Sequence, residues 1–279
     1  MQMVNYRKKC KGENFVGLLL FLFFNTHLFA QIKVATWNLK DFGVSKTEVE
    51  VKFISTILKD FDVIAIQEVV VSEEGVQAVR RLKNSMNCNG QKWECVISNP
   101  TSGNSYKSER YAFIWNVNRV KKEGGAWLEK NFDSLIDREP FYQTFNFNGK
   151  AFTLVNYHAI TKSMQPETEI KYFKYLPEEY KDLNLIFCGD FNCPQSHSVF
   201  NPLKSDGYMP VITNQKTTLR QKCISSDCLA SEFDNIFYNT KKVIFTKSGV
   251  VHFYRFFSSL KIAHNISDHL PVYFYFELI

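Results

Sequence analysis

Asn38, Glu68, His158, the pair Asp190 and Asn192, and the pair Asp268 and His269 all stand beside short apolar runs of the sequence. The first three end the runs Val34–Trp37, Val63–Ile66 and Leu154–Tyr157. Asp190 and Asn192 follow Leu185–Gly189, and Asp268 and His269 precede the run that begins at Val272. One acidic residue at such a point is ordinary, because turns favour Asp and Asn. Five such points carrying carboxylates, amides and imidazoles look like a set that converges at one rim of a sheet structure. Carboxylate and amide oxygens are the ligands that hard divalent cations such as Mg²⁺ select. Two histidines among them supply proton transfer near neutral pH. A cation, carboxylates, imidazoles and amide donors together suit hydrolysis of a phosphate ester.

The elements that must position these groups are mostly strands. Apolar runs of strand length span Ile32–Trp37, Val63–Ile66, Tyr111–Trp115, Phe152–Tyr157, Leu185–Cys188, Phe233–Tyr238 and Val272–Phe276. They are rich in Val, Ile, Phe and Tyr and are bounded by polar or turn residues. Helical spacing appears over Thr47–Leu58, with Val51, Ile54 and Leu58 on one face, and over Glu73–Lys83, with Val76, Val79 and Leu82. Gln165–Tyr180 is a third helical candidate through Ile170, Phe173 and Leu176. Helices do not follow every strand, which predicts packed sheets flanked by helices and argues against a doubly wound parallel sheet. No G-x-G-x-x-G or P-loop pattern occurs, so dinucleotide and nucleoside-triphosphate sites have no support. The aromatic runs around Tyr142, Phe145 and Phe147 and over Phe253–Phe257 are expected between two sheets. His197, His252 and His264 fit none of the chemical patterns and are expected to be structural or surface residues.

Composition and the N-terminus set the context. The chain has 279 residues, 45% hydrophobic and 22% charged, with a formal charge of +6. That excludes a disordered chain. Arg7, Lys8, Lys9 and Lys11 precede an apolar run over Val16–Phe24, and Ala30 precedes Gln31, the order of a secretory signal peptide. Residues 1–30 are therefore expected to be removed, leaving one domain over 31–279, exported or periplasmic, with no stable membrane association. Without them the charge falls to +3, so charge alone does not argue for nucleic acid. Six cysteines remain. In an oxidising compartment the closely spaced pairs Cys88/Cys95 and Cys223/Cys228 are candidate disulfides, while Cys188 reads as a buried thiol.

Four pieces carry a family resemblance: Thr36-Trp37-Asn38-Leu39, Ile66-Gln67-Glu68-Val69, Gly189-Asp190-Phe191-Asn192 and Ser267-Asp268-His269-Leu270-Pro271-Val272, with His158 between the second and third. In this order they resemble the endonuclease/exonuclease/phosphatase superfamily over essentially all of 31–279. Asn104–Tyr111, Arg138-Glu139-Pro140 and Phe233-Asp234-Asn235-Ile236 are similar to stretches of its deoxyribonuclease I branch. The resemblance implies an α+β fold, a four-layer α/β/β/α sandwich of two packed, mainly antiparallel sheets. It implies a monomeric endonuclease that needs Mg²⁺, with Mn²⁺ or Ca²⁺ as alternatives, and cleaves DNA to 5′-phosphate and 3′-hydroxyl ends.

Carried over position by position, the resemblance makes Glu68 the main metal ligand, helped by Asn38 and by Asp268 or Asp190. His158 and His269 flank the scissile phosphate as acid and base, oriented by Glu109 and Asp234. Asp190 and Asn192 hold the phosphate or the nucleophilic water, Arg138 contacts a substrate phosphate, and Tyr106 touches DNA. Two positions depart from the branch: Val70 stands where it carries an arginine, and Ser108 is inserted before Glu109. Both concern grip on DNA and leave the chemistry untouched. Two other readings compete: a phosphodiesterase of the same superfamily acting on phospholipid headgroups, like bacterial sphingomyelinases, and a scaffold that binds without cleaving.

Overall fold

The computed structural model describes residues 31–87, 91–102 and 108–279. The order of elements is β1 (Ile32–Phe42), α1 (Glu48–Leu58), β2 (Val63–Val69), α2 (Glu73–Met86), β3 (Trp93–Ile97), β4 (Arg110–Asn116), β5 (Lys121–Leu128), β6 (Phe141–Phe147) and β7 (Lys150–His158). The chain continues through α3 (Glu167–Ile170), α4 (Leu176–Glu179), β8 (Leu185–Asp190), α5 (Asn201–Ser205) and β9 (Tyr208–Pro210). It ends with β10 (Leu219–Ile224), β11 (Asp227–Leu229), β12 (Asp234–Asn239), β13 (Val243–Val250), α6 (Leu260–Ile266) and β14 (Val272–Leu278).

Two six-stranded sheets form, in the orders β13-β14-β1-β2-β4-β3 and β5-β6-β7-β8-β12-β9, and β10 and β11 make a separate hairpin. Most neighbours are antiparallel. The parallel pairs are β1 with β2 and β7 with β8. Between the sheets lies a core that includes Val34, Phe113, Phe145, Phe152, Ile236 and Phe274. Outside the first sheet, α1, α2 and α6 cover Trp37, Ile64, Ile66 and Ile114. Outside the second, the helical turns of 167–205 cover Val155, Tyr157, Phe187 and Phe237. The result is a four-layer α+β sandwich. Most of the aromatic content is used here, since each fully buried Phe contributes about 1.5–3 kcal/mol.

Local sequence explains where elements start and stop. Thr47 caps α1: its Oγ1 accepts from the Glu50 amide at 3.3 Å, while Glu50 Oε2 accepts from the Thr47 amide at 2.7 Å. The third helical candidate is not one helix. A 3₁₀ stretch, Lys171–Tyr175, separates α3 from α4, and Pro177 in the first turn of α4 has no N–H to bond back. Gly189, with φ 141°, belongs to the parallel pairing of β8 with β7: a Cβ there would lie 1.9 Å from the Tyr157 carbonyl oxygen. Only glycine allows that approach, which sets Asp190 opposite His158 in the register.

Two expectations need correction. Phe145 and Phe147 do sit between the sheets, but Tyr142 packs on the outer face with Trp127, ring centroids 5.0 Å apart. The Phe253–Phe257 run also lies outside. Phe253 packs 5.1 Å from Trp37, Phe257 packs 4.8 Å from Phe53 of α1, and Phe256 is exposed. The run is a 3₁₀ turn crossing over a helix layer, so its side chains lack the alternation that would aim them between sheets. Of the cysteine pairs, Cys223–Cys228 is a disulfide across the β10–β11 hairpin, Cys95 is a free thiol, and Cys88 lies outside the described residues. Cys188 is buried and free, and burial pushes its thiol far up. Among the described residues no helix is long and apolar enough to cross a membrane.

Candidate active site

Polar groups from both sheets meet in a cleft of about 560 Å³, lined by Glu68, Glu109, Arg138, His158, Asp190, Asn192 and His269 among others. Glu68, His158, Asp190 and Asn192 come from the last residues of their strands or just beyond, and Glu109, Arg138 and His269 from the segments that lead into theirs. Glu68 (φ 59°) and Asn192 (φ 48°) take left-handed backbone, uncommon for residues with a Cβ, at the points where the chain turns off the rim. Lys40 and Asp41, at the irregularity near the end of β1, do the same, with φ 43° and 48°. The kink brings the Lys40 amide to Asn38 Oδ1 at 2.9 Å and the Asp41 amide to Glu68 Oε2 at 3.0 Å.

Asp190 is the hub. Asn38 Nδ2 donates to Asp190 Oδ2 at 3.1 Å and to Glu68 Oε1 at 2.9 Å, tying two carboxylates to one amide. The same Asp190 oxygen lies 3.4 Å from His158 Nε2 and 3.6 Å from His269 Nδ1. Its other oxygen accepts from the Asn192 amide at 2.9 Å, and Asn192 Nδ2 donates to the Ala159 carbonyl at 3.1 Å.

Each imidazole has its own carboxylate. His158 Nδ1 is 2.9 Å from Glu109 Oε2, and His269 Nδ1 is 2.8 Å from Asp234 Oδ2. Burial opposes charge on Glu109, but His158 and Arg138 outweigh it and hold the carboxyl below its usual range. Burial likewise opposes charge on His158, and Glu109 outweighs it, so the imidazole is raised. His269 is also raised against its burial, by Asp234 and Asp190. A carboxylate on one ring nitrogen fixes the tautomer and raises basicity at the other.

Other candidates are placed differently. Arg138 is buried, with Nη1 donating to Glu109 Oε2 at 3.0 Å and Nη2 bonded to the Ala159 carbonyl. Its donors are thus turned largely onto the protein, although the residue lines the cleft. Asp268 is paired with Lys40, 3.2 Å away, and is not part of the cleft lining. Burial opposes charge on Asp268, but His269 and Lys40 outweigh it and lower its carboxyl. Tyr106 lies outside the described residues.

For a divalent cation, the carboxylate oxygens of Glu68 and Asp190 are hard donors gathered about the Asn38 amide, and that chemistry fits Mg²⁺. Asp190, Asp234 and His269 also bring one ligand atom each within 4.8 Å of one another. In that second cluster Asp234 and His269 are also bonded to each other, 2.8 Å apart.

Several residues of the site carried no signal in the sequence. Ile160, Thr161, Ser163 and Met164 wall the cleft. Buried Glu169 holds that wall and the opposite lip, accepting from the Ile160 amide at 2.8 Å and the Asp137 amide at 3.0 Å. Beneath the rim, Gln67 Nε2 donates across the sheets to Asn156 Oδ1 at 2.5 Å and within its own sheet to Thr36 Oγ1 at 2.9 Å. Tyr111 hydroxyl accepts from the His158 amide at 3.1 Å. Gln67 and Tyr111 stand inside motifs already noted, so only their reach across the fold was hidden.

The decisive comparison is with the family model of the endonuclease/exonuclease/phosphatase family, which matches residues 35–269. The chain belongs to this family. Its curated relatives put it in the deoxyribonuclease I branch. A deoxyribonuclease of Thioalkalivibrio sp. (strain K90mix) is 26% identical over 282 residues, covering 94% of this chain and 75% of its own length. Human deoxyribonuclease gamma is 27% identical over 285 residues, covering 92% of this chain and 89% of its own. Among solved structures, an endonuclease/exonuclease/phosphatase family protein from Bacteroides thetaiotaomicron superposes with a TM-score of 0.66 at 16% identity, covering 88% of this chain and 97% of that one. At that identity the structural match speaks for the endonuclease/exonuclease/phosphatase fold alone.

Proposed function

We propose that the protein is an exported, Mg²⁺-dependent endonuclease that hydrolyses DNA phosphodiester bonds to 5′-phosphate and 3′-hydroxyl ends. The observation that supports it most is the pairing in one cleft of His158–Glu109 and His269–Asp234 about the shared carboxylate of Asp190. Sequence relatives named as deoxyribonucleases supply the substrate class. Residues 1–30 act as the export signal, and the Cys223–Cys228 disulfide accords with an oxidising compartment.

In the reaction water attacks phosphorus and the bond to the 3′ oxygen breaks. One imidazole takes a proton from the water, and the other returns one to the leaving oxygen. Glu109 and Asp234 hold the two rings and stabilise their protonated forms. Asn192 and Asp190 orient phosphate and water, and Arg138 adds positive charge at the wall while it steadies Glu109. Glu68 and Asn38 would hold the cation, with Asp190 or, once released from Lys40, Asp268. When bound, the cation neutralises charge on the phosphoryl oxygens.

The test is nicking of supercoiled plasmid with Mg²⁺, with EDTA, and by H158A and H269A variants. Nicking that EDTA and either substitution abolish is the expected result. Equal nicking by the variants would overturn the mechanism. Release of phosphocholine from sphingomyelin without nicking would replace the substrate.

A further inference from the structure

Asp234 and His269 come from different sheets, Asp234 opening β12 of the second and His269 preceding β14 of the first. Their 2.8 Å contact needs something that fixes one sheet's loop against the other. That link is the base of the β10–β11 hairpin, and above all Thr217, which is fully buried.

Thr217 bonds to both sides. Its Oγ1 donates to Asp234 Oδ2 at 2.7 Å, the same oxygen that meets His269 Nδ1. That hydroxyl oxygen also accepts from the Asp234 amide at 3.0 Å and the Phe233 amide at 3.1 Å. On the other side the Thr217 carbonyl accepts from the Leu270 amide at 2.7 Å, next to His269 in the chain. Neighbouring residues extend the link. The Leu219 amide donates to the Asp268 carbonyl at 2.7 Å, and Thr218 pairs with His269 as an isolated β-bridge. The hairpin is closed at its base by the Thr217 amide donating to the Ser231 carbonyl at 2.7 Å, and near its tip by the Cys223–Cys228 disulfide.

We infer that Thr217 is a positioning residue for the His269–Asp234 pair, its hydroxyl orienting the carboxylate and its carbonyl holding the loop that carries the histidine. Without that hydroxyl the Asp234 carboxylate would keep only the imidazole as a hydrogen-bond partner, because its other oxygen, Oδ1, is buried without any. A carboxylate with one partner is free to rotate about its Cβ–Cγ bond and swing that oxygen off the ring. The hydroxyl removes that freedom, and its donated bond also stabilises the charged carboxylate.

This rests on the nuclease reading, so the test has two arms. In the first, plasmid nicking by T217V, which keeps the shape and loses the hydroxyl, is compared with T217S, which restores it. T217V should lose at least tenfold in kcat with KM within threefold of the parent, and T217S should return to within threefold in kcat. Equal kcat for T217V and parent overturns the inference, as does an equal loss in T217S and T217V, because a serine that keeps the hydroxyl would then fail to hold the pair. If T217V does not fold, T217A is read in its place. In the second arm, NMR of the metal-free protein follows the His269 Nδ1 proton, which is expected downfield in the parent and T217S and shifted or lost in T217V. An unchanged signal in T217V overturns the inference. If the parent itself fails to nick plasmid, the nuclease reading falls, and the imidazole signal alone judges Thr217.

Discussion

The two imidazole–carboxylate pairs of the cleft perform the same local task with different electrostatics. His158 and Glu109 lie in a buried ion cluster, where Arg138 stands 3.0 Å from the same carboxylate oxygen that holds the ring. The guanidinium draws Glu109 down and partly offsets the carboxylate's pull on His158. At the other pair the carboxylate is held by the Thr217 hydroxyl, and the ring answers to Asp190 and Asp268 in addition to Asp234. Burial pushes the Asp234 carboxyl up, with Asp190 adding to it, while the neighbouring carboxylates Asp234 and Asp190 raise His269 against its own burial. One pair is therefore locked by charge, the other by a neutral donor and a surplus of negative charge. The first depends on a buried ion triad that must stay complete, the second on the register between two sheets.

Deleting either ring tests whether both are needed. H158A and H269A should each lower plasmid nicking on the order of 10²–10⁴-fold, the usual span of a lost proton-transfer group. A loss at only one site would show that the pairs are not equivalent in the chemistry.

Breaking the ion triad separates them by stability. R138M leaves Glu109 buried with one positive partner fewer and should cost about 3–5 kcal/mol in urea unfolding. The double variant R138M/E109Q should recover part of that. D234N, whose pair holds no arginine, should cost less than R138M.

The hairpin belongs to the second pair alone. C223S/C228S opens a short loop and should lower stability by about 2 kcal/mol. Its effect on imidazole signals should reach His269 and leave His158 unmoved. A shift at His158 would erase the distinction.

The smallest effect is a pH dependence of the metal-free protein. Glu109 is lowered from 4.5, so its contribution is present above that value and lost as pH falls through the folded value. His158 is raised from 6.5, so its contribution is full below that value and lost as pH rises through the folded one. The pair should therefore stabilise most between about pH 4.5 and 6.5. Tm against pH for the parent and for an E109Q/H158Q double variant checks this: the difference between the curves should be greatest in that window.

The strands that carry the site were legible because their apolar runs are local, and polar residues interrupt them where the strands stop. Gly189 beside Asp190 was legible as a motif, but its reason, the 1.9 Å clash that a Cβ would make with Tyr157, needed the paired strand. The break between α3 and α4 and the outer position of Phe253 leave no mark in the sequence, since short 3₁₀ turns have no lasting period. Three residues of sequence context suggest a phosphate contact for Arg138, and the structure adds that its Nη1 and Nη2 bond Glu109 and the Ala159 carbonyl. Nothing local distinguishes an arginine turned outward from one turned onto a buried carboxylate.

The amino-acid order by itself determined which chemical groups the chain carries to its strand ends and that packed sheets flanked by helices hold them, because strand-length apolar runs and helical spacing are properties of neighbouring residues. The three-dimensional fold decided what those groups do to one another. Asn38 meets Asp190 across 152 positions, Asp234 meets His269 across 35, and Thr217 binds the loops that carry the last two. Such contacts are set by how two sheets pack and where a hairpin folds back, and a hydrogen bond of about 3 Å has no counterpart in the spacing of residues along a chain.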